Sequence, residues 1–366
     1  MRVMPLLLSR RRLFILATLA GAGLGESARA LPPRTLQFPR DFGSHPELRT
    51  EWWYITGHAE AAGGRRFGFQ VTFFRSRVDA AQPMRSAFAA KQLLFAHAAV
   101  TDLQGRQLRH EQRIARAGFG IASASEADTD VRLQDWSLVR DAASGRYQAE
   151  VAADAGAQGF GLSLRFAPTQ PLLLQGSAGL SRKGPDASQA SYYYSEPQLA
   201  VQGRIALQGQ APLEVNGKAW LDHEWSEALM HPEAVGWDWI GMNLDDGSAL
   251  TAFRLRRRDG SALWAGGSWR APGGAVQAFG PQAVRFTPGR VWASARSGGR
   301  YPVQWTIETP AGRFEVASVL DDQELDSRGS TGAIYWEGLS ALRDAQGRTV
   351  GHGYLEMTGY AAALRL

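Results

Sequence analysis

Along the chain, apolar and polar residues alternate in short runs, or apolar residues stand alone for a few positions, and Gly, Asp or Asn ends each run. Examples are "RRFGFQVTFFR", "LLFAHAAV", "GLSLRFAP", "LAVQGRIAL", "SALTAFRLR", "PVQWTIET" and "GHGYLEMTGY". A period of two is the mark of strands with one face in and one face out. Asn216-Gly217, Asp246-Gly247 and Asp259-Gly260 read as hairpin signals, and long helical periodicity is scarce. The pattern predicts a mostly β protein of barrel or sandwich type.

A weak internal repeat divides the chain. "EWWYITGHAEAAGGRRFGFQVTFFR" and "GWDWIGMNLDDGSALTAFRLR" align Trp52, Tyr54 and Ile55 with Trp237, Trp239 and Ile240, and Phe74-Arg75 with Phe253-Arg254. The expected units are 31–228 and 235–366, with the break near Met230-His231-Pro232-Glu233. Residues 31–50 read as an extended leading segment.

Residues 1–30 carry a different signal. Basic residues precede an apolar run from Leu13 to about Leu24, and Ala28-Arg29-Ala30 supplies a cleavage motif. Ser9-Arg10-Arg11-Arg12-Leu13-Phe14 is the pattern of a twin-arginine signal. The expectation is export to the periplasm or beyond. The leader holds five arginines against Glu26, so +4 of the chain's +5 charge lies there and +1 is left on the rest. That balance gives no support to nucleic-acid binding. There is no cysteine, which excludes disulfides, thiol nucleophiles and zinc–thiolate sites.

The densest chemistry lies in "GKAWLDHEWSE", residues 217–227. As a strand it puts Trp220, Asp222 and Glu224 on one face and Leu221, His223 and Trp225 on the other. Consecutive Asp222, His223 and Glu224 do not converge on one ion, and no zincin spacing follows, so no metal is expected. A carboxyl or imidazole walled by indoles shifts toward its neutral form, which suits an acid–base site formed by Asp222, His223, Glu224 and Trp225. Equally, the two acids can pair with arginines and tie the halves together. Glu51, Trp52, Tyr54, His97, Tyr193, Trp237 and Trp239 are candidates for a ligand wall. Tyr354, Glu356, Thr358 and Tyr360 alternate onto one face, read as surface or lumen. Arg254, Arg256, Arg257 and Arg258 read as a solvated strand end and turn. No G-x-S-x-G elbow, phosphate loop or dinucleotide fingerprint is present.

"EWWYITG", "YYYSEPQLAVQGRIAL", "GKAWLDHEWS", "GWDWIGMNLDDG" and "YLEMTGY", in that order from about residue 45 to 362, resemble the carotenoid 1,2-hydratase (hydroxyneurosporene synthase) family in its AttH-like secreted branch. The resemblance implies two tandem lipocalin-like antiparallel β-barrels and an apolar ligand, isoprenoid- or lipid-like. It implies hydration of a double bond without a redox cofactor. The family's H-x-W matches His223 and Trp225, while its Y-x-D pair has no counterpart in "SALTAFRLR". Hydrolysis, non-enzymatic lipid binding and an adaptor role beside an envelope transporter are the competing expectations.

Overall fold

The structure is a computed structural model that describes residues 30–364, apart from Ala155, Leu229 and the side chain of Ala157. The expected leader lies outside the described residues. Among the described residues the regular structure is β throughout, interrupted by three single 3-10 turns. No helix there is long and apolar enough to cross a membrane, which says nothing of strands.

Two antiparallel sheets make two lipocalin-like barrels. The first runs from Thr50 to Ala228 and the second from Gly236 to Met357, with a two-stranded ribbon from Val291 to Pro302 at the side. Their topologies match. In each, the opening strand pairs with both the following strand and the final one. Thr50–Ala61 lies between Arg66–Arg77 and Leu213–Ala228, and Gly236–Leu244 lies between Ala249–Arg256 and Thr349–Met357.

The ion pairs set the register of the repeat. Glu51 stands opposite Arg75, and Asp238 stands opposite Arg254, each pair joined by a buried salt bridge. Trp52 therefore corresponds to Trp239, two residues away from the sequence alignment with Trp237. A W-x-aromatic alternation looks the same after a shift of two, so side-chain type cannot fix the register. The same pair corrects the arginine expectation. Arg254 and Arg256 are buried, and both reach the Asp238 carboxylate. Arg257 and Arg258 are exposed or half-exposed, as a strand end should be.

Each barrel has its own core. Trp53, Ile55, Phe73, Leu221 and Trp225 belong to the first, and Ile240, Met242, Trp305 and Trp336 to the second. A third cluster, with Tyr54, Trp220, Trp239, Phe253 and Leu339, lies between the sheets and joins them. The central strands are thus buried on both faces.

Polar side chains pin the leading segment onto the first barrel. The buried Glu51 carboxylate accepts hydrogen bonds from Ser44 Oγ (2.8 Å), the His45 backbone (2.9 Å) and Arg75 Nε (2.8 Å) on Oε2. On Oε1 it meets His45 Nδ1 (2.8 Å) and His223 Nε2 (2.9 Å). Arg75 also donates to the carbonyls of His45 and Leu48, both at 2.9 Å. Burial alone would raise the Glu51 pKa, but the histidine hydrogen bonds outweigh it and hold the carboxyl well below its ordinary range. Burial would lower His45, but its bonds to Asp41 and Glu51 win and raise it. With both ring nitrogens donating to carboxylates, His45 is an imidazolium, stacked 3.9 Å from the Trp225 ring.

Two opposite pH limbs follow. A depressed carboxylate stabilises the fold above its unfolded pKa and loses this as pH falls, whereas a raised histidine stabilises below its unfolded pKa and loses this as pH rises. Together these groups contribute most between the ordinary values of 4.5 and 6.5. Glu51→Gln should cost about 3–5 kcal/mol, because it leaves Arg75 and His45 buried without a full counter-charge. Thermal melts across pH should also show a flattened acid limb in this variant. An unchanged pH profile would show that the cluster carries no such linkage.

Candidate functional site

Between the two sheets lies a cavity of about 360 Å³. Trp52, Tyr54, Gln70, Thr72, Phe74, Phe95, His97, Tyr193, Asp222 and Glu224 form the wall on the first barrel. Trp237, Trp239, Phe253, Leu255, Tyr335, Glu337, Glu356 and Thr358 form the facing wall. The register explains the first wall. Trp52 stands opposite Phe74 and Glu224, and Tyr54 opposite Thr72 and Asp222, so one face of three strands points into the seam.

Asp222 is held on three sides. Oδ1 accepts from Ser195 Oγ (2.5 Å) and Trp220 Nε1 (2.7 Å), and Oδ2 accepts from the Tyr193 hydroxyl (2.7 Å). Burial nevertheless pushes its pKa up to about 7 against those bonds. Glu224 pairs with Lys183 Nζ at 2.9 Å. The same ammonium lies 4.6 Å from the centre of the Tyr193 ring and 4.4 Å from that of Phe253.

The second barrel contributes two more acids, directly opposite one another on Ala333–Arg343 and Thr349–Met357. Glu337 and Glu356 are a like-charged cross-strand pair, a placement that penalises double ionisation. Burial first and the neighbouring carboxylate second raise Glu337 well above its ordinary value. Burial, with further push from Asp222 and Glu224, raises Glu356 to about 7 against a hydrogen bond from Trp237. Gln70 Nε2 donates to Glu337 Oε2 at 2.7 Å. On the cavity wall the buried Tyr54 hydroxyl interacts with the Glu337 carboxyl.

His97 is on the same wall. Its ring reaches the Tyr335 hydroxyl through Nδ1 and Ser330 Oγ through Nε2, both at 2.8 Å. Burial lowers it to about 3, so it is neutral.

The structure separates the four residues read as one acid–base group. Asp222 and Glu224 face the cavity, whereas His223 and Trp225 face the core of the first barrel. There His223 stacks on Trp53 at 4.7 Å and bonds the Tyr194 hydroxyl (3.1 Å) and Glu51. Burial lowers its pKa to about 4 despite Glu51. Trp225 consequently does not shield chemistry in the cavity. Glu51 borders the cavity, but its carboxylate turns to the core side with His223. Tyr193 faces the cavity, and Tyr194 on the opposite face joins His223. Trp52, Tyr54, His97, Trp237 and Trp239 line the cavity.

Sequence reasoning missed Glu337, Lys183 and Tyr335. Glu356 and Thr358 did show a signal, the alternation in "YLEMTGY", but they face the seam instead of a surface or lumen. The metal expectation considered neighbours in sequence alone. The fold instead brings His45, Glu51 and His223 within 4.8 Å of one another. Each is already hydrogen-bonded, and Arg75 and the His45 imidazolium balance Asp41 and Glu51, so the trio has no charge deficit that calls for a cation.

The AttH-like family profile matches residues 29–360. No curated protein matches. A solved AttH from Nitrosomonas europaea is 47% identical, with a TM-score of 0.83, covering 91% of this chain and 100% of that one. Kievitone hydratase from Nectria haematococca shares the fold at 14% identity and a TM-score of 0.66, covering 85% of this chain and 89% of that one. CghA in complex with Sch210972 shares it at 13% identity and 0.53, covering 86% and 89%. From the match along nearly all of its described length, the chain belongs to the AttH-like family.

Proposed function

We propose that the protein takes an apolar, isoprenoid- or lipid-like molecule into the seam between its barrels and adds water across a carbon–carbon double bond by acid catalysis. The observation that carries this reading is the set of buried carboxyls raised above their ordinary range, Asp222, Glu337 and Glu356, on an aromatic wall. A neutral carboxylic acid donates a proton where an ionised one cannot. The proton goes to the less substituted alkene carbon, and the tertiary cation forms beside Trp52, Trp237 and Trp239. Indole faces and the carboxylate just created stabilise it. Water adds to the cation and returns a proton to the carboxylate. One water is consumed and the acid is regenerated.

Glu337 is the best-placed donor. Burial and the facing Glu356 carboxylate raise it well above its ordinary value, and Gln70 orients one of its oxygens. The names of kievitone hydratase and CghA support the reading to the extent that the first denotes hydration and both share the fold. Hydrolysis would draw on Ser330 beside His97, but an imidazole lowered to about 3 is too weak a base to activate a hydroxyl near pH 7.

Incubation with a panel of isoprenoid alkenes in ¹⁸O-water should give an alcohol carrying the heavy oxygen. Glu337→Gln should lower turnover by about 10²-fold or more while substrate binding persists. Because the acid works protonated and Glu337 is raised well above its ordinary value, activity should hold as Asp222 and Glu356 ionise near 7 and should fall only at higher pH, where Glu337 itself ionises. Ligand retention with no labelled product from any alkene would leave a lipid-binding protein and overturn the hydratase reading.

The same proposal places the protein outside the cytoplasm, on the strength of the twin-arginine pattern. Replacing Arg10, Arg11 and Arg12 with lysine should leave uncleaved precursor in the cytoplasm on cell fractionation. Unchanged recovery of shorter protein from the periplasm would reject this route.

A further inference from the structure

Two loops leave the first barrel at the end of the sheet nearest the cavity. Residues 78–91 connect Arg66–Arg77 to Gln92–Asp102, and residues 117–121 follow Gln107–Arg116. Ser76 and Phe95 line the cavity, and the first loop begins two residues beyond Ser76. From Phe95 to the loop's other root at Gln92 is three residues, roughly 10 Å of strand.

These loops present apolar side chains to solvent. Phe88 is 73% exposed and Phe119 56%, and Met84 and Ile121 are also exposed. The two phenyl rings stack with centroids 5.6 Å apart. Arg116 lies 4.0 Å over Phe119, and its Nη1 donates to the Phe88 carbonyl at 2.8 Å, so the rings are held outward together. Arg85 and Lys91 are exposed beside them and form no ion pair among the described residues. The acid of this loop, Asp79, is already paired with Arg77 at 2.7 Å.

Aromatic tips ringed by unpaired cations match the chemistry of an anionic bilayer surface, where rings enter the interface and cations meet lipid phosphates. A few loop side chains are far fewer than the 20–30 per partner of a standard protein interface. An apolar ligand also has little aqueous concentration, and a membrane is where such molecules partition. We infer that the Phe88–Phe119 tip docks the protein on anionic lipid bilayers, with the cavity mouth turned toward the membrane. This goes beyond the hydratase reading, and binding is measured without any substrate, so the two stand or fall separately.

Every described strand lies between Thr50 and Met357, so the chain from Leu31 onward retains the fold and removes the apolar leader from the measurement. It should sediment with vesicles of phosphatidylglycerol and phosphatidylcholine, and about tenfold more weakly with phosphatidylcholine alone or at high salt. Replacing Phe88 and Phe119 together with serine should weaken vesicle binding at least about tenfold. Arg85→Glu with Lys91→Glu should abolish the preference for the anionic lipid. Both variants alter exposed side chains and should melt like the parent. Val291→Ser, exposed on the second half, should bind vesicles normally. The inference is overturned if neither vesicle binds, if the serine variant binds like the parent, or if that variant instead dissociates a dimer on size exclusion.

Discussion

The Ala219–Ser226 stretch of the Leu213–Ala228 strand is buried on both faces, and the rest of the architecture depends on that constraint. From Ala219 to Ser226 every residue is buried. One face closes the first barrel's core and the other closes the seam with the second barrel. A strand with polar residues at successive positions must therefore supply partners on both sides. It does so with Glu51, Arg75 and His45 on the core side, and with Lys183, Tyr193 and Ser195 on the seam side. The two faces follow different electrostatic rules. The core cluster pairs opposite charges and remains ionised. The seam pairs Glu224 with its one lysine and holds Asp222, Glu337 and Glu356 raised above their ordinary range by burial.

That asymmetry separates a structural site from a chemical one. Glu51, with five donors, is a poor proton donor but a strong anchor for the leading segment. Glu337, buried, and Glu356, half-buried on the cavity wall opposite it, cannot both ionise without cost. The aromatic walls make the cavity dry enough to raise these acids, and the same walls suit an apolar guest. Packing between the barrels thus creates the cavity and tunes its chemistry at once.

Much of this was legible in the sequence. Period-two alternation, the turns at Asp246-Gly247 and Asp259-Gly260 and five ordered motifs pointed to the β architecture, although Asn216-Gly217 lies within the Leu213–Ala228 strand and not at a turn, and the aromatic residues near the start of each half did line one cavity. What failed shows what periodicity leaves out. Alternation put Asp222 and His223 on opposite faces, but reading them as one site assumed that only one face of the strand could carry chemistry. Arg254 and Arg256 read as solvated because charge usually marks a surface, yet Asp238 directly opposite Arg254 lets both be buried. Glu337 was passed over because its significance comes from Glu356 across the sheet and from Gln70 in the other barrel, contacts that local spacing does not encode. The His45–Glu51–His223 trio has the same long-range origin.

The central claim is that the seam keeps carboxylic acids protonated near pH 7. Carbon-13 NMR of protein labelled at the glutamate carboxyl carbons tests it most directly, with Glu337→Gln and Glu356→Gln to assign the signals. The account predicts a protonated carboxyl signal at pH 7 that disappears in Glu337→Gln, and a second, assigned to Glu356, that titrates near pH 7. If every glutamate signal is that of an ionised carboxylate at pH 7, the seam holds no proton donor of this kind and the account is contradicted.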